Sequence, residues 1–165
     1  MPHAPEPLTL TPDELAARLA DGDRNLAGLV LAELTLLGLD LRAADLRFAR
    51  FTTLDLRGAD LSGADLSGAT LDGVSLRGSM LPRVRLVGAT LSGVDLSACN
   101  LTGADLTGAD LSGCCLDAAM LTAAKLTGAK LRGAKIRGAL LTGVDLTGAD
   151  TFAADFGGAI GYRPA

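Results

Sequence analysis

Residues 59–73 read ADLSG-ADLSG-ATLDG, three five-residue units that share one pattern: small, polar, leucine, polar, glycine. We call the leucine the centre of a unit. The same frame extends from this stretch to Leu26 on one side and Phe156 on the other, and it comprises 27 units without an insertion or a deletion. Leucine is the centre in 23 of them. An unbroken period of this length decides the fold.

A period of five fits neither regular element. On an α-helix five residues turn through about 500°, which would spread the leucines around the axis. On a flat strand five steps reverse the face, which would place alternate leucines in solvent. The chain must therefore turn by a fixed angle every five residues, so that the centre and the small residue two positions before it point inward. Of the 21 glycines, 18 lie two positions after a centre, where a tight bend favours glycine.

The tandem units ADLSG and ADLTG, for example at residues 59–63 and 104–108, resemble the pentapeptide-repeat family. The resemblance covers residues 24–160. It implies an all-β solenoid, a right-handed quadrilateral β-helix with four repeats per coil and about seven coils, in which the central leucine and the preceding small residue fill the interior. At the ~4.8 Å spacing of stacked strands, such a rod is about 32 Å long.

The sequence divides into an N-terminal tail with a capping helix (1–23), the repeats (24–160) and a C-terminal tail (161–165). A helix start is indicated by Thr11 as N-cap and Glu14 completing a capping box. We expect a short α-helix over about residues 12–21.

The open edge of a stack of coils needs a cover. Leu15 and Leu19 share one face of the expected helix. We therefore expect the helix to pack over the first coil through these two leucines.

Apolar residues gather at the C-terminal end, where Thr151 breaks the pattern of apolar centres: Phe152, Phe156, Ile160 and Tyr162. Two interpretations stay open. These residues form an aromatic cap on the last coil, or they form the contact of a homodimer through the C-terminal coils. The second interpretation comes from the resemblance, because some relatives that protect DNA gyrase form homodimers through coil ends.

Outward residues of a 20-residue coil stack in columns. One column contains exposed apolar residues, and it reads Asp40, Asp60, Met80, Asn100, Met120, Leu140. Stacked apolar residues on a surface can mark a protein partner, although scattered exposed ones are normal. Our candidate protein-interaction residues are Met80, Pro82, Met120 and Leu140.

Charged columns favour a solvated surface. One alternates in sign for most of its length, namely Asp45, Asp65, Arg85, Asp105, Lys125 and Asp145, which predicts mutual pairing of modest strength. A basic group forms a belt around one coil and not a flat patch: Lys125, Lys130, Arg132, Lys135 and Arg137. A belt cannot lie against a membrane or a duplex, and we expect these cations to offset aspartates.

Composition excludes most catalytic designs. The chain has a net charge of −4, one histidine (His3, outside the repeats) and three cysteines. We expect Cys99, Cys114 and Cys115 to be small buried residues plus one surface thiol, with no metal site. No basic and apolar leader is evident, so a cytoplasmic protein without cofactor, direct nucleic-acid binding or membrane contact is predicted.

The expected function is that of a non-enzymatic, rigid β-helical scaffold for protein–protein interaction, with a protein partner that the sequence does not name. The alternative comes from the resemblance: some relatives imitate duplex DNA and inhibit or protect type II topoisomerases, DNA gyrase and topoisomerase IV, in quinolone resistance. Mimicry needs a dominant negative surface. Acidic and basic residues are nearly equal in number between residues 24 and 160, and the loop insertions of many resistance proteins are lacking.

Overall fold

The computed structural model describes residues 5–161. Its elements in chain order are β1 (Leu8–Thr9), α1 (Pro12–Ala20), β2 (Leu29–Ala32), β3 (Arg50–Thr52) and β4 (Thr70–Asp72). The four strands form one parallel sheet in the order β1-β2-β3-β4. The register advances by 20 residues from β2 to β3 and from β3 to β4, for example Leu31↔Phe51↔Leu71.

The same 20-residue register continues along the whole chain as single parallel bridges, from Asn25↔Asp45 to Leu140↔Ile160. Four five-residue units therefore make one coil, and each coil pairs only with the coils before and after it. At one junction the Leu86 N–H donates to the Asp105 carbonyl at 2.7 Å, and the Asp105 N–H donates to the Val84 carbonyl at 2.9 Å. Repetition of this pair satisfies the backbone on all four sides of the rod.

Each corner of the coil is a turn whose third residue is left-handed. The residue two positions after every one of the 27 centres has φ between 53° and 73°. At most corners the next N–H donates back to the carbonyl of the centre, as Ala64 does to Leu61 at 3.0 Å. Eighteen corner residues are glycine, and five of the remaining nine are alanine. The five-residue period is thus the spacing of left-handed corners.

The interior is a column of leucines alternating with small residues, as the period predicts. Middle centres such as Leu86 and Leu106 and their small neighbours such as Ala104 are completely buried. Phe51 fills one centre and is 1% exposed. Where a small inner residue is polar, its side chain is bonded to a carbonyl of the preceding coil: the Ser79 hydroxyl donates to the Leu56 carbonyl at 2.9 Å.

The helix begins where the capping-box pattern places it. The Thr11 side chain accepts from the Glu14 N–H at 3.3 Å, and a Glu14 carboxylate oxygen accepts from the Thr11 N–H at 2.8 Å. Leu15 is 1% exposed within the core, and Leu19 packs against the core half-buried. The helix ends at Ala20, one residue before the expected end.

Strand β1 was not expected from the sequence. Leu8 and Thr9 pair in parallel with Leu29 and Val30, so that β1 adds one strand to the outer edge of the first coil. Two residues are too short for a period to be visible. The cover of the N-terminal end is therefore a strand and a helix together.

The C-terminal end differs from the N-terminal end. The last inward residues, Leu146, Thr151 and Phe156, are half-buried, whereas the centres between residues 41 and 141 are buried. Residues 5–161 contain no second helix that could cover this coil. The core of the last coil is thus partly exposed at all three of these positions, whereas in the first coil Leu26 and Leu31 are buried and Leu36 is half-buried.

Replacing a central leucine in the middle of the rod should be costly, and the chain offers a control. We expect Leu86→Ala to lower the free energy of unfolding by about 2–5 kcal/mol, because the cavity lies between two packed coils. Leu37→Ala removes a leucine that is 58% exposed at a corner, and it should change stability by no more than about 0.5 kcal/mol. Urea unfolding followed by circular dichroism measures both. Equal losses would contradict a core made of the central leucines.

Candidate functional site

The apolar column forms as the 20-residue register predicts. Met80, Asn100, Met120 and Leu140 are bridged in succession on one face. Met80 and Met120 are each 43% exposed, and Leu140 is half-buried. The column continues to Ile160, which is bridged to Leu140 and 60% exposed. We call Met80, Asn100, Met120, Leu140 and Ile160 together the apolar column.

Sequence reasoning placed Ile160 in a C-terminal cap or a dimer contact, and the position of its side chain does not fit a cap. It occupies the outward position before a corner, so its side chain lies on the same face as Met120 and Leu140 and not over the end of the rod. The sequence could have indicated this position, because Ile160 lies 20 residues, one coil, after Leu140. The apolar residues at the C-terminus had suggested one shared cap, but the 20-residue register places Ile160 on a side of the rod and Phe156 in its interior.

On one side of the apolar column, the residue after each centre is uncharged, and Arg83 at the corner beside Met80 is a charged residue next to them. The corner after the column carries Pro82, Thr102, Thr122 and Thr142 in the four successive coils from residue 81 onward. Pro82 has no N–H, so this corner needs no acceptor from the side chain at position 80. On the other side Arg137 donates to Asp117 of the preceding coil at 2.7 Å. The column is therefore a narrow neutral surface beside paired charges.

The predicted C-terminal cap does not form as a group of four. Phe152 is 70% exposed at a corner, and the Arg132 guanidinium lies 5.4 Å from the centroid of its ring. Only Phe156 occupies an inward position, where it packs against the core. Tyr162 lies outside the described residues. Whether two chains join through these residues stays a prediction.

Aspartates of the repeat have a structural role that the sequence analysis missed. Eleven aspartates occupy the outward position before a centre, and each accepts a hydrogen bond from the backbone N–H two residues later. Asn100 does the same for Thr102 at 3.1 Å. This is an Asx turn, in which a side chain takes the place of a backbone acceptor. The sequence feature that could have predicted these bonds is the constant position of Asp directly before the central residue of a unit.

The cations pair with these aspartates, as expected for a solvated surface. Arg47 donates to Asp45 within one unit at 2.6 Å, and Arg85 lies 3.4 Å from Asp65 of the preceding coil. In the basic belt, three of the five cations form ion pairs with aspartates: Lys130 with Asp110, Arg132 with Asp150, and Arg137 with Asp117. The negative charge is consequently neutralised locally over much of the rod.

These contacts shift the acidity of the carboxyl groups. The guanidinium of Arg47 lowers the pKa of Asp45 from its ordinary value. Hydrogen bonds from the Ser112 side chain and backbone lower the pKa of Asp110, and Lys130 adds to the effect. The thiols change in the opposite direction, because burial raises the pKa of Cys99 to about 11 and that of Cys114 to about 12.

The three cysteines are free thiols. Cys99 and Cys114 are fully buried at the small inner position, and their Sγ atoms donate to the Leu76 and Leu91 carbonyls, each at 2.8 Å. Cys115 is partly exposed. The expectation of small buried residues beside one surface thiol is confirmed.

A rod of four-sided parallel coils, with an apolar centre and a left-handed corner in each five-residue unit, defines the class of β-solenoids built from pentapeptide repeats. The chain belongs to the pentapeptide-repeat family: the family described as "Pentapeptide repeats" matches it in 8 copies, over residues 25–63, 40–78, 59–97, 85–122 and 124–160. Proteins of this family adopt a right-handed quadrilateral β-helix, and the expected fold is thereby confirmed.

Solved structures similar to this chain include trypsin-treated R167E QnrB1, a plasmid-mediated fluoroquinolone resistance protein, with a TM-score of 0.54 and 19% identity over 83% of this chain and 85% of that one. HetL from the cyanobacterium Nostoc is 29% identical, with a TM-score of 0.37 over 92% and 97%. Rfr23 from the cyanobacterium Cyanothece is 24% identical, with a TM-score of 0.41 over 88% and 95%. No curated protein matches the sequence. The likeness to QnrB1 concerns the fold alone.

The Asx turns predict a loss of stability in acid. The pKa of Asp110 is lower in the folded protein than in the unfolded chain, so its contribution is present above the ordinary aspartate value of about 3.9 and is lost as the pH falls below it. We expect the urea midpoint of the wild type to drop between about pH 4 and pH 2. The urea midpoint of the Asp110→Asn variant should drop less steeply over that pH range, because the variant lacks this titrating carboxyl group.

A second substitution separates charge from hydrogen bonding at this site. Asp110→Ala removes the acceptor for the Ser112 N–H and should cost about 1 kcal/mol at pH 7. Asp110→Asn keeps an acceptor, as Asn100 does in its own turn, and should lie closer to the wild type. If the Ala and Asn variants were equally stable at pH 7, the turn bond would have no measurable value.

Proposed function

We propose that the protein is a non-catalytic scaffold that binds a protein partner along the apolar column. The observation that carries the proposal is the set of outward Met, Leu and Ile residues at a position where most repeats carry a polar or charged residue. Met120, Leu140 and Ile160 follow one another in three successive coils. From Met80 to Ile160 the column extends over four coil steps, about 19 Å.

The rigidity of the rod supports binding through this surface. Met120 and Leu140 stand on backbone that is hydrogen-bonded to the preceding coil: the Met120 N–H donates to the Cys99 carbonyl, and the Met120 carbonyl accepts from the Leu101 N–H. A side chain on fixed backbone loses little conformational freedom when a partner covers it. Methionine adds a flexible, polarisable side chain that adapts to different apolar partners.

The chemistry of the polar groups supports a non-catalytic role. The eleven outward aspartates are engaged by backbone N–H groups of their own turns, and the two buried thiols have raised pKa values that disfavour the reactive thiolate. His3 lies outside the described residues. Within residues 5–161, no helix has the length and apolar content that crossing a bilayer requires. A cytoplasmic location is part of the proposal, and the free thiols support it.

The apolar column can be tested with paired surface variants. Met120→Asp with Leu140→Asp places charge on the column without touching the core, and the fold should remain intact by circular dichroism. Thr70→Asp with Thr90→Asp makes an equal change at exposed positions two faces away. Tagged wild-type protein and both variants would be used to recover partners from the native cell, and each recovered protein would be identified by mass spectrometry.

We expect a protein that is recovered with the wild type and with the Thr70/Thr90 variant but not with the Met120/Leu140 variant. Purified, that protein should bind the column variant at least tenfold more weakly, because two buried apolar contacts are replaced by desolvated carboxylates. A partner that binds all three proteins equally would show that the column is not the binding surface.

The alternative function, DNA mimicry toward a type II topoisomerase, has less support in the charges. Aspartates of the rod are paired with arginine or lysine in ten close contacts between residues 24 and 160. A duplex mimic must present unneutralised negative charge in place of phosphates. We therefore expect micromolar protein to leave supercoiling by DNA gyrase unchanged, with and without a quinolone. Inhibition or protection in that assay would favour the alternative over the scaffold proposal.

A further inference from the structure

The edge of the last coil presents backbone groups that the preceding coils use for pairing. Inside the rod, the carbonyl of the small inner residue accepts an N–H from the next coil, as Ala124 accepts from Asp145. In the last coil, the equivalent carbonyls of Ala149 and Ala154 accept no hydrogen bond from residues 5–161. The N–H of Thr151 also lacks a backbone acceptor within residues 5–161, whereas its counterpart in the preceding coil, the Leu131 N–H, donates to the Asp150 carbonyl at 2.8 Å. This edge is a parallel β template above a half-buried core.

The edge of the first coil is instead occupied on two of its four sides by residues 5–23. Strand β1 pairs along Leu29 and Val30, and the Leu8 N–H donates to the Gly28 carbonyl at 2.9 Å. On a second side, the Asp23 carboxylate accepts from the Asn25 N–H at 2.9 Å. On a third side, Arg24 of the first coil itself donates to the Asp40 carbonyl at 3.2 Å. We call residues 5–23 the capping segment.

The two edges match in geometry. Every coil junction in the protein has the same parallel direction and the same 20-residue register, so the last coil of one copy has the hydrogen-bonding pattern that would precede the first coil of another. The inward residues are also compatible. The first coil carries leucine at the small inner position, at Leu29, Leu34 and Leu39, and the last coil carries alanine or valine there. If the last coil of one copy stacked on the first coil of another, the small alanines of the last coil would leave room for the leucines of the first coil.

We propose that the capping segment prevents end-to-end association of the protein, by occupying the edge of the first coil on which the last coil of a second copy would otherwise stack. The partner at this surface is a second copy of the same chain in the same direction. The contact is heterologous and does not close, so its release would produce linear assemblies longer than a dimer. This proposal is independent of the apolar column, which lies on a side of the rod and not at its ends.

A substitution of one glycine, Gly28, is expected to displace the capping segment without changing its own residues. A Cβ on Gly28 would lie 2.7 Å from the Glu6 carbonyl oxygen, which is backbone of the capping segment. Gly38 occupies the equivalent corner two units later, and a Cβ there would meet no atom within 4 Å. Both are left-handed, with φ of 73° and 64°, and five corners of this chain already carry alanine. Gly28→Ala and Gly38→Ala therefore share the same backbone strain and differ in the clash.

The test measures the mass of the full chain in solution by light scattering after gel filtration, over a range of protein concentrations. Gly28→Ala should displace the capping segment, seen as faster tryptic cleavage after Arg18, and its mass should rise above that of the wild type with concentration. Gly38→Ala should behave as the wild type in both measurements. Leu15→Asp, which removes the buried anchor of the helix, should act like Gly28→Ala.

A variant at the other end completes the test. Thr151→Lys places a charge in the half-buried interior of the last coil, and in the Gly28→Ala background it should abolish the larger assemblies. The proposal is overturned if cleavage after Arg18 is faster but the mass stays at the wild-type value, or if Thr151→Lys leaves the assemblies unchanged. Loss of the β-helix signal in both Gly28→Ala and Leu15→Asp would also overturn it, because the segment would then be part of the folding unit.

Discussion

The structure depends on one constraint: the chain must enter a left-handed conformation every five residues, and each corner must be fixed by hydrogen bonds. The left-handed region is expensive for residues with a Cβ, which is why glycine dominates the corners. Nine corners nevertheless lack glycine, and they have the same φ range within about 20°. The bonds between coils compensate for this local cost, since each corner is held by the corner above and the corner below. Gly68 shows how closely they stack, because the Phe48 ring of the previous coil lies 2.8 Å from where its Cβ would be.

The aspartates connect this constraint to the surface. An outward Asp accepts the N–H of its own corner, so the charge that makes the rod soluble also fixes the turn. Arginine or lysine then pairs with the same carboxylate, as Arg57 does with Asp55 at 2.7 Å. A surface used in this way has little free charge for a nucleic-acid-like field. A surface with a different chemistry therefore forms only where the repeat departs from this pattern.

Met80, Met120 and Leu140 are such departures, because none of them supplies an acceptor to its corner. At Met80 the structure compensates, since Pro82 has no N–H to satisfy. At Met120 and Leu140 the turn forgoes the side-chain bond that Asp105 or Asp145 provides in its own unit. A repeat that gives up a stabilising contact in successive coils, on one face, gains an apolar surface in exchange. This is the physical argument for regarding the column as a binding surface.

The sequence by itself determined the coil: the period of five, the inward leucines, the glycine corners and the capping box at Thr11 are all local or periodic, and a local pattern is visible in one dimension. The 20-residue register also predicted the apolar column as far as Leu140. Tertiary structure alone decided the rest. It showed that β1 pairs with one side of the first coil and that Ile160 and Phe152 face outward. It also showed that the outward aspartates accept the backbone N–H two residues later. Each of these depends on which backbone groups remain unpaired at an edge or a turn, and that is fixed only when neighbouring coils are in place.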